Sequence, residues 1–344
     1  MILPKFEVES PLSVEEAVRL LATLKVAMPL AGGTGLIPAL KLGLHNPSVL
    51  VDLESVEGLE AVDCTGAGVY MGACAPLSVV AAEPRIWKDW RALAEAAASV
   101  GGPQLRNVGT IGGNVCLDTR CWFYDRTATW RQAVERCLKR GGDVCLAAPR
   151  SQRCHAVFAA DTPPALIALR GRVRTARWSA EQCIRRERFM EDLYCDEGSR
   201  GLQLDAGEII THVIVPPVIS AGEYRSGYLK YRLRRSIDFP LAAVAVGLRM
   251  ADGCMRDVRV VLGGVASAPI MALEAMQELE GREPNAEVAA RAAQAAARAA
   301  RPVPNQATTP GQRRLMVTVL TERLLCKLTS DQYSSARRDQ EAMK

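Results

Sequence analysis

The runs AGGTGLIP at residues 31–38 and RNVGTIGGN at residues 106–114 decide how this chain is interpreted. Glycine allows positive φ and lets the backbone approach a ligand closely. Consecutive N–H groups in such turns bind anions. Two such turns in one domain therefore predict a site for the two phosphates of a dinucleotide, with added side-chain hydrogen bonds from Thr34, Thr110 and Asn114. Neither run matches GxGxxG or GxxxxGK[ST], which argues against a nicotinamide Rossmann site, and each run alone is equally consistent with a tight structural turn.

The segments around the two runs predict clusters of strands and helices. Ser13 and Glu16 form a capping box that begins an amphipathic helix. Further strands are predicted at 26–31, 49–53, 69–74, 173–178, 241–250 and 258–265, and helices at 91–100, 130–138, from Asp161, and at 272–280, 287–300 and 312–327. Because strands and helices do not alternate regularly, the fold class is α+β rather than a doubly wound sheet.

Prolines at 216 and 217 with Gly222 predict a domain boundary. The expected domains are 1–217, with subdomains of about 1–55 and 56–217, then an α+β domain at 222–328 and a polar tail at 329–344.

The composition excludes several classes of function. The 344 residues are 49% apolar and 24% charged, and the net charge of +5 is spread along the chain without an aromatic and basic module, so no nucleic acid is expected. Residues 1–5 lack a charged start followed by an apolar run, so no signal peptide is expected, and no stretch reaches the roughly 20 apolar residues of a membrane helix. We therefore expect a cytoplasmic protein with no membrane partner. With three histidines and no Ser/His/Asp or paired-carboxylate arrangement, a hydrolytic site is not expected.

Five of the eleven cysteines lie close together in the sequence, at Cys116, Cys121, Cys137, Cys145 and Cys154. A reducing compartment argues against a disulfide framework and favours a metal or redox site. Four thiolates can hold a [4Fe–4S] cluster or a tetrahedral zinc ion. Gaps of 15, 7 and 8 residues from Cys121 onward match no standard motif and leave both open, beside a third interpretation as unrelated thiols. The flanking Lys139, Arg140, Arg150 and Arg153 are either ordinary solvated charges or a surface for an acidic partner.

Further segments follow the glycine runs in a recognisable order. They are DTPPAL at 161–166, LDAGEII at 204–210, Lys230 through Arg234 to Asp238, and LGGVA at 262–266 with Pro269. Together they resemble the FAD-binding subunits of the molybdenum hydroxylases, a family that includes xanthine dehydrogenase and carbon monoxide dehydrogenase. The resemblance covers nearly the whole chain and implies an FAD-binding domain of two α+β subdomains followed by a smaller C-terminal α+β domain.

The resemblance also implies the residues that bind FAD. They are Leu30, Ala31, Gly32, Gly33, Thr34, Gly35, Leu36, Val100, Gly101, Thr110, Ile111, Gly112, Gly113, Asn114, Asp161, Val215 and Lys230. The pyrophosphate is expected on the first run, and the phosphates and ribityl chain on Thr110 to Asn114. Asp161 is expected to bind a flavin hydroxyl, with the remaining residues near the ring. Many relatives carry an acidic or polar residue where this chain has Gly35, so one side-chain contact is expected to be lost.

Most family members lack the cysteine-containing insertion at about 116–156. It resembles the insertion of the 4-hydroxybenzoyl-CoA reductase branch, whose flavin subunit carries a [4Fe–4S] cluster, through residues 114–121, 124–125 and 130–133. That resemblance implies Cys121, Cys137, Cys145 and Cys154 as ligands. Cys116 is then left over, and His155 is a rival ligand.

The function implied by this resemblance is electron transfer within a larger enzyme. A molybdenum-cofactor subunit and a [2Fe–2S] subunit are the expected partners, in a hetero-oligomer that is a dimer of heterotrimers. Electrons are expected to pass from ferredoxin to the [4Fe–4S] cluster, FAD, [2Fe–2S] clusters and molybdenum, for reductive dehydroxylation of an aromatic acyl-CoA. The alternatives are a flavin subunit that passes electrons outward and binds zinc, a free-standing flavin oxidoreductase, and a zinc-stabilised assembly subunit without flavin.

Overall fold

Three sheets with covering helices follow one another along the chain in the computed structural model, which describes residues 2–218 and 224–330. The α+β class is confirmed. Gly222 at the predicted boundary and the predicted tail beyond Ser330 lie outside the described residues.

The first sheet is small and parallel. Its elements are β1 (Glu7–Glu9), α1 (Val14–Thr23), β2 (Ala27–Leu30), α2 (Leu36–Lys41) and β3 (Val49–Asp52), and the strand order is β1-β3-β2. The Ser13 hydroxyl accepts the Glu16 N–H at 3.2 Å, which confirms the predicted start of α1. Ala17, Val18 and Leu21 of this helix are buried with β3. The first glycine run therefore lies between a strand end and a helix start.

The second sheet is antiparallel, in the order β4-β5-β8-β6-β7. Its elements are β4 (Val62–Thr65), β5 (Gly68–Gly72), α3 (Leu77–Ala82), α4 (Pro84–Asp89), α5 (Arg91–Ser99), α6 (Pro103–Val108), α7 (Ile111–Val115), α8 (Ala128–Gln132), α9 (Thr162–Ala168), β6 (Arg172–Ser179), β7 (Gln182–Phe189) and β8 (Ile209–Val215). Alanine-rich α5 is buried along most of its length, because its small side chains allow close packing.

The third sheet is also antiparallel, in the order β12-β11-β10-β9. Its elements are β9 (Tyr224–Tyr231), β10 (Ala242–Ala251), β11 (Cys254–Gly263), β12 (Ile270–Met271), α10 (Leu273–Leu279), α11 (Ala286–Ala299) and α12 (Pro310–Thr329). Side chains alternate between the two faces of a strand. Ala243 and Ala245 join the central core, while Val244 and Val246 pack with the C-terminal helices. The second and third sheets are thus joined through one continuous core.

The cysteine insertion is mostly irregular, and the predicted helix at 130–138 is wrong. Helix α8 ends at Gln132, and only a short 3-10 turn follows at Leu138–Arg140. The Cys137 carbonyl accepts the Gly142 N–H at 3.0 Å, and Gly141 adopts a left-handed φ of 72°. This tight turn, which a continuous helix would prevent, returns the chain towards Cys145.

No helix in residues 2–218 and 224–330 is both long enough and apolar enough to cross a membrane.

Candidate functional site

The two glycine runs lie directly against each other. A Cβ atom on Gly32 would lie 1.8 Å from the Val108 carbonyl oxygen, and a Cβ atom on Gly109 would lie 3.2 Å from the Thr34 hydroxyl. Gly33 has a φ of 64°, in the left-handed region that glycine tolerates best. The absence of a side chain at Gly32 therefore allows the two runs to form one surface.

The first run leaves its backbone donors available. Over the described part of the chain, the N–H groups of residues 32–36 make no hydrogen bond, and the next donor, Ile37, bonds the Gly33 carbonyl at 2.9 Å. Successive unpaired N–H groups at a turn before a helix form a concavity that suits an anion. Because Thr34 and Gly35 are exposed, a phosphate can reach these groups.

Most backbone donors at the end of the second run are already hydrogen-bonded within the protein. The N–H groups of Ile111 and Gly112 bond the Ala75 and Ala73 carbonyls at 2.9 and 2.8 Å, and the Gly113 N–H bonds the Thr110 hydroxyl at 3.0 Å. The sequence predicted that both runs offer N–H groups to phosphates. In the structure the second run packs against the first, and among the described residues it keeps the Thr110 N–H and its side chains to offer a ligand.

Asn114 connects the second run to the Asp161 segment. Its side-chain oxygen accepts the N–H of Thr162 at 3.1 Å and the hydroxyl of the same residue at 2.7 Å. Across the described residues, the Asn114 amide nitrogen has no hydrogen-bond partner, so it is a donor that can face a ligand.

Asp161 lies in a buried ion pair. Lys230 approaches one carboxylate oxygen at 2.9 Å, and the Tyr228 hydroxyl donates to the same oxygen at 2.6 Å. Burial raises the pKa of Asp161 and lowers the pKa of Lys230, while each charge opposes the shift of the other. Lys230 also donates to the Ser99 carbonyl at 2.7 Å, which holds the end of α5 beside the pair.

The residues expected near the flavin ring divide into two groups. Val100 follows Ser99, and the Gly101 carbonyl accepts the Ile237 N–H at 3.0 Å, so both lie beside Lys230 and the loop after β9. Val215 lies elsewhere. It is buried at the end of β8, where it pairs with Val69. The part of β8 next to the second run is Thr211, which accepts the Ala73 N–H. Val215 is four residues further along the strand, or about 13 Å from Thr211.

Tyr228 is the site residue that the sequence analysis missed. It is two residues before Lys230 on β9, and residues two apart in a strand face the same side. That alternation is the signal in the sequence that pairs Tyr228 with Lys230 over Asp161.

The four cysteines implied as ligands converge on one pocket. It is lined by Cys121, Phe123, Tyr124, Cys137, Leu138, Lys139, Cys145, Leu146, Ala147, Cys154 and Ala156. All four thiols are free, and three of them are buried. Within the described residues, no three His, Cys, Asp or Glu side chains converge closely enough to hold one metal ion. The four cysteines therefore line one pocket but are not spaced to hold a single ion.

Burial shifts the pKa of two thiols of the pocket, Cys121 and Cys154, upward. Desolvation is the main cause that raises the pKa of the Cys121 thiol to about 12. Burial likewise raises the pKa of Cys154 to about 11. A bound metal centre deprotonates its thiol ligands, so loading this pocket would release protons.

Cys116 and His155 occupy different surroundings from the pocket. Cys116 packs against the central core, where burial raises its pKa to about 12. The His155 ring nitrogen lies 2.8 Å from the Ser151 hydroxyl, and His155 lines a neighbouring pocket with Arg301 and Asn305.

Both flanking domains anchor the insertion. Arg131 is buried and donates to the carbonyls of Leu42 at 3.0 Å and Gly43 at 2.7 Å, in the N-terminal domain. Asn305, in the C-terminal domain, accepts the Trp122 N–H at 3.1 Å on its carbonyl oxygen and donates to the His155 carbonyl. Residues next to Cys121 and Cys154 are therefore held by one asparagine.

Two protein-family models match the chain. The FAD binding domain in molybdopterin dehydrogenase matches residues 4–218, and the CO dehydrogenase flavoprotein C-terminal domain matches residues 227–328.

Characterised relatives match over most of their length. The medium subunit of nicotine 6-hydroxylase from Paenarthrobacter nicotinovorans is 30% identical over 300 residues, which are 87% of this chain and 88% of that subunit. The medium chain of carbon monoxide dehydrogenase from Afipia carboxidovorans is 29% identical over 283 residues, which are 82% of each chain.

A solved structure shares the fold. The carbon monoxide dehydrogenase from Hydrogenophaga pseudoflava that lacks the Mo-pyranopterin moiety contains a chain that superimposes with a TM-score of 0.77 at 25% identity. The superposition covers 95% of this chain and 98% of that one.

Proposed function

Because the chain belongs to the FAD-binding medium subunits of the molybdenum hydroxylase family, we propose that its glycine runs and the Asp161–Lys230 pair hold FAD, and that its four-cysteine pocket holds a second redox centre. The observation that carries the first part is the set of free N–H groups at residues 32–36, fixed in place by the second run.

The residues fit the two ends of an FAD differently. The N–H groups of residues 32–36 bind the pyrophosphate, helped by the Thr34 hydroxyl. The Asn114 amide and the remaining lone pairs of Asp161 bind ribityl hydroxyls. Val100, Gly101 and Lys230 border the ring. Val215 lies at the far end of β8 from the second run, so we assign it no contact with FAD.

For the second centre we propose a [4Fe–4S] cluster bound by Cys121, Cys137, Cys145 and Cys154. All four thiols line one pocket, and a cluster distributes its thiolates over several iron atoms. FAD exchanges electrons singly or in pairs and a cluster exchanges one, so the protein has to hold the two centres in place and set their potentials.

The complete enzyme we propose is a 4-hydroxybenzoyl-CoA reductase-like complex. A ferredoxin-type donor supplies electrons at the cysteine pocket, and partner subunits with [2Fe–2S] clusters and a molybdenum cofactor receive them for reductive dehydroxylation of an aromatic acyl-CoA. The basic side chains of the insertion support an acidic donor that binds beside the cysteine pocket. Arg136 and Arg150 are exposed, and Arg140 and Arg153 are partly exposed.

The second candidate passes electrons outward, with zinc held in the cysteine pocket as a structural ion. The relatives favour this direction, because one is a nicotine 6-hydroxylase subunit and another a carbon monoxide dehydrogenase subunit. The two candidates differ in whether the cysteine pocket takes part in electron transfer.

A rapid-mixing experiment separates them. Reduced ferredoxin is mixed without oxygen with the purified complex, and bleaching of the flavin absorbance is followed in the wild type and in Cys137→Ser. We expect flavin reduction to slow at least tenfold in the variant while its FAD content stays unchanged. Equal rates of flavin reduction would favour the outward, zinc-containing form.

A further inference from the structure

Among the described residues that line the cysteine pocket, Lys139 is the one with a charged side chain. Its side chain is 6% exposed. The ammonium nitrogen lies 2.7 Å from a carboxylate oxygen of Asp118 and 2.8 Å from the Thr119 carbonyl oxygen. It also lies 4.6 Å from the centre of the Tyr124 ring, another wall of the pocket. The positive charge is therefore fixed at the pocket rather than free on the surface.

The neighbouring charges do not cancel it fully. The Asp118 side chain is 55% exposed, so water screens its carboxylate more than it screens the ammonium group. Asp125 and Glu197 use carboxylate oxygens to accept the backbone N–H groups of Cys121 at 2.7 Å and Cys154 at 3.1 Å. The Arg120 side chain is 38% exposed and lies over the Phe239 ring. The Lys139 side chain is less exposed than those of Asp118 and Arg120, and Lys139 is the one of these charges that borders the pocket.

We propose that Lys139 sets the reduction potential of the centre held by Cys121, Cys137, Cys145 and Cys154, which rests on the proposed cluster function. Reduction adds one electron from the donor to a group that four thiolates already make negative, and no bond or proton has to move. A fixed cation at low exposure stabilises the reduced form more than the oxidised form and so raises the potential. Asp118 opposes this effect in part.

Three variants test the assignment in opposite directions. Lys139→Gln removes the charge and keeps a donor for Asp118 and Thr119. Lys139→Arg keeps the charge and serves as its matched control. Asp118→Asn removes the opposing charge at a side chain that is half exposed. Iron content is measured first, and the midpoint potential is then obtained from a dithionite titration of the complete complex followed by electron paramagnetic resonance.

We expect Lys139→Gln to lower the equilibrium constant for reduction about tenfold, a fall of about 59 mV for a one-electron couple. The midpoint potential of Lys139→Arg should stay near that of the wild type, and the midpoint potential of Asp118→Asn should be higher.

Equal potentials in wild type and Lys139→Gln, at equal iron content, would overturn the proposal. If Lys139→Gln loses its iron, Asp118→Asn decides, and a potential that is unchanged or lower there overturns it. Loss of iron from both variants also overturns it, because the pair would then be needed to build the pocket. A wild type with zinc and no resonance signal would instead refute the proposed cluster.

Discussion

Gly32→Ala should separate the two glycine runs and weaken FAD binding. The new Cβ would lie 1.8 Å from the Val108 carbonyl oxygen, at least 1.6 Å inside an ordinary contact distance of 3.4 Å. The obstacle is backbone, so no side-chain rotation relieves it. Overpacking of this kind costs about 3 kcal/mol. If the runs move apart to relieve it, the dissociation constant of FAD rises about 100-fold.

The assay is flavin content after purification, followed by titration of the flavin-free protein with FAD. Gly66→Ala is the matched control, because Gly66 lies in the turn between β4 and β5, outside the FAD residues, and its Cβ would meet no atom within 4 Å. It should bind FAD like the wild type. Thermal unfolding of both flavin-free variants separates a lost site from a lost fold. Equal FAD affinity for Gly32→Ala and Gly66→Ala would refute the inference that the two runs form one surface.

Three further predictions concern other parts of the molecule. Asp161→Asn leaves Lys230 buried without its counter-charge, so the free energy of unfolding should fall by about 3 kcal/mol in urea denaturation; a loss below about 0.5 kcal/mol would show that the pair is not needed for stability. Cys145→Ser should lose iron and keep FAD, whereas Cys116→Ser should keep both; metal analysis showing the reverse order would assign the ligands differently. Burial lowers the pKa of His212 from its ordinary 6.5, so the folded state binds that proton more weakly than the unfolded chain and stability falls as the pH drops below about 6.5. In His212→Gln the melting temperature should fall less between pH 6.5 and lower pH than in the wild type. An equal fall in both proteins would contradict the prediction.

The elements around the glycine runs could be predicted because their signals are local. The Ser13 capping box, the apolar strand before Gly32 and the alanine-rich α5 each match what their own residues favour. Strand β7 was missed, because its residues 182–189 are largely charged and exposed and show no apolar alternation. Pairing with β6 along its whole length, a tertiary effect, holds it in place.

The finer features of the site depend on contacts between distant residues. The glycine count predicted two phosphate-binding turns. The hydrogen bonds of the Ile111 and Gly112 N–H groups to the Ala75 and Ala73 carbonyls depend on how β5 and the residues after it pack beside the second run, which the local sequence does not show. Likewise, Lys139 looks like one of several solvated charges in the sequence, and its burial follows from the fold of the insertion over Thr119 and Tyr124. The predicted helix at 130–138 failed for the same reason, because its spacing signal was weaker than the turn that returns the chain towards Cys145.

The central claim is that this chain carries FAD and a second redox centre in the cysteine pocket. The most direct measurement is the iron, zinc, acid-labile sulfide and flavin content of protein purified without oxygen. We predict about four irons with matching sulfide, and one FAD per chain. One zinc per chain with no iron or sulfide would contradict the claim and leave a flavin subunit whose cysteine insertion has only a structural role.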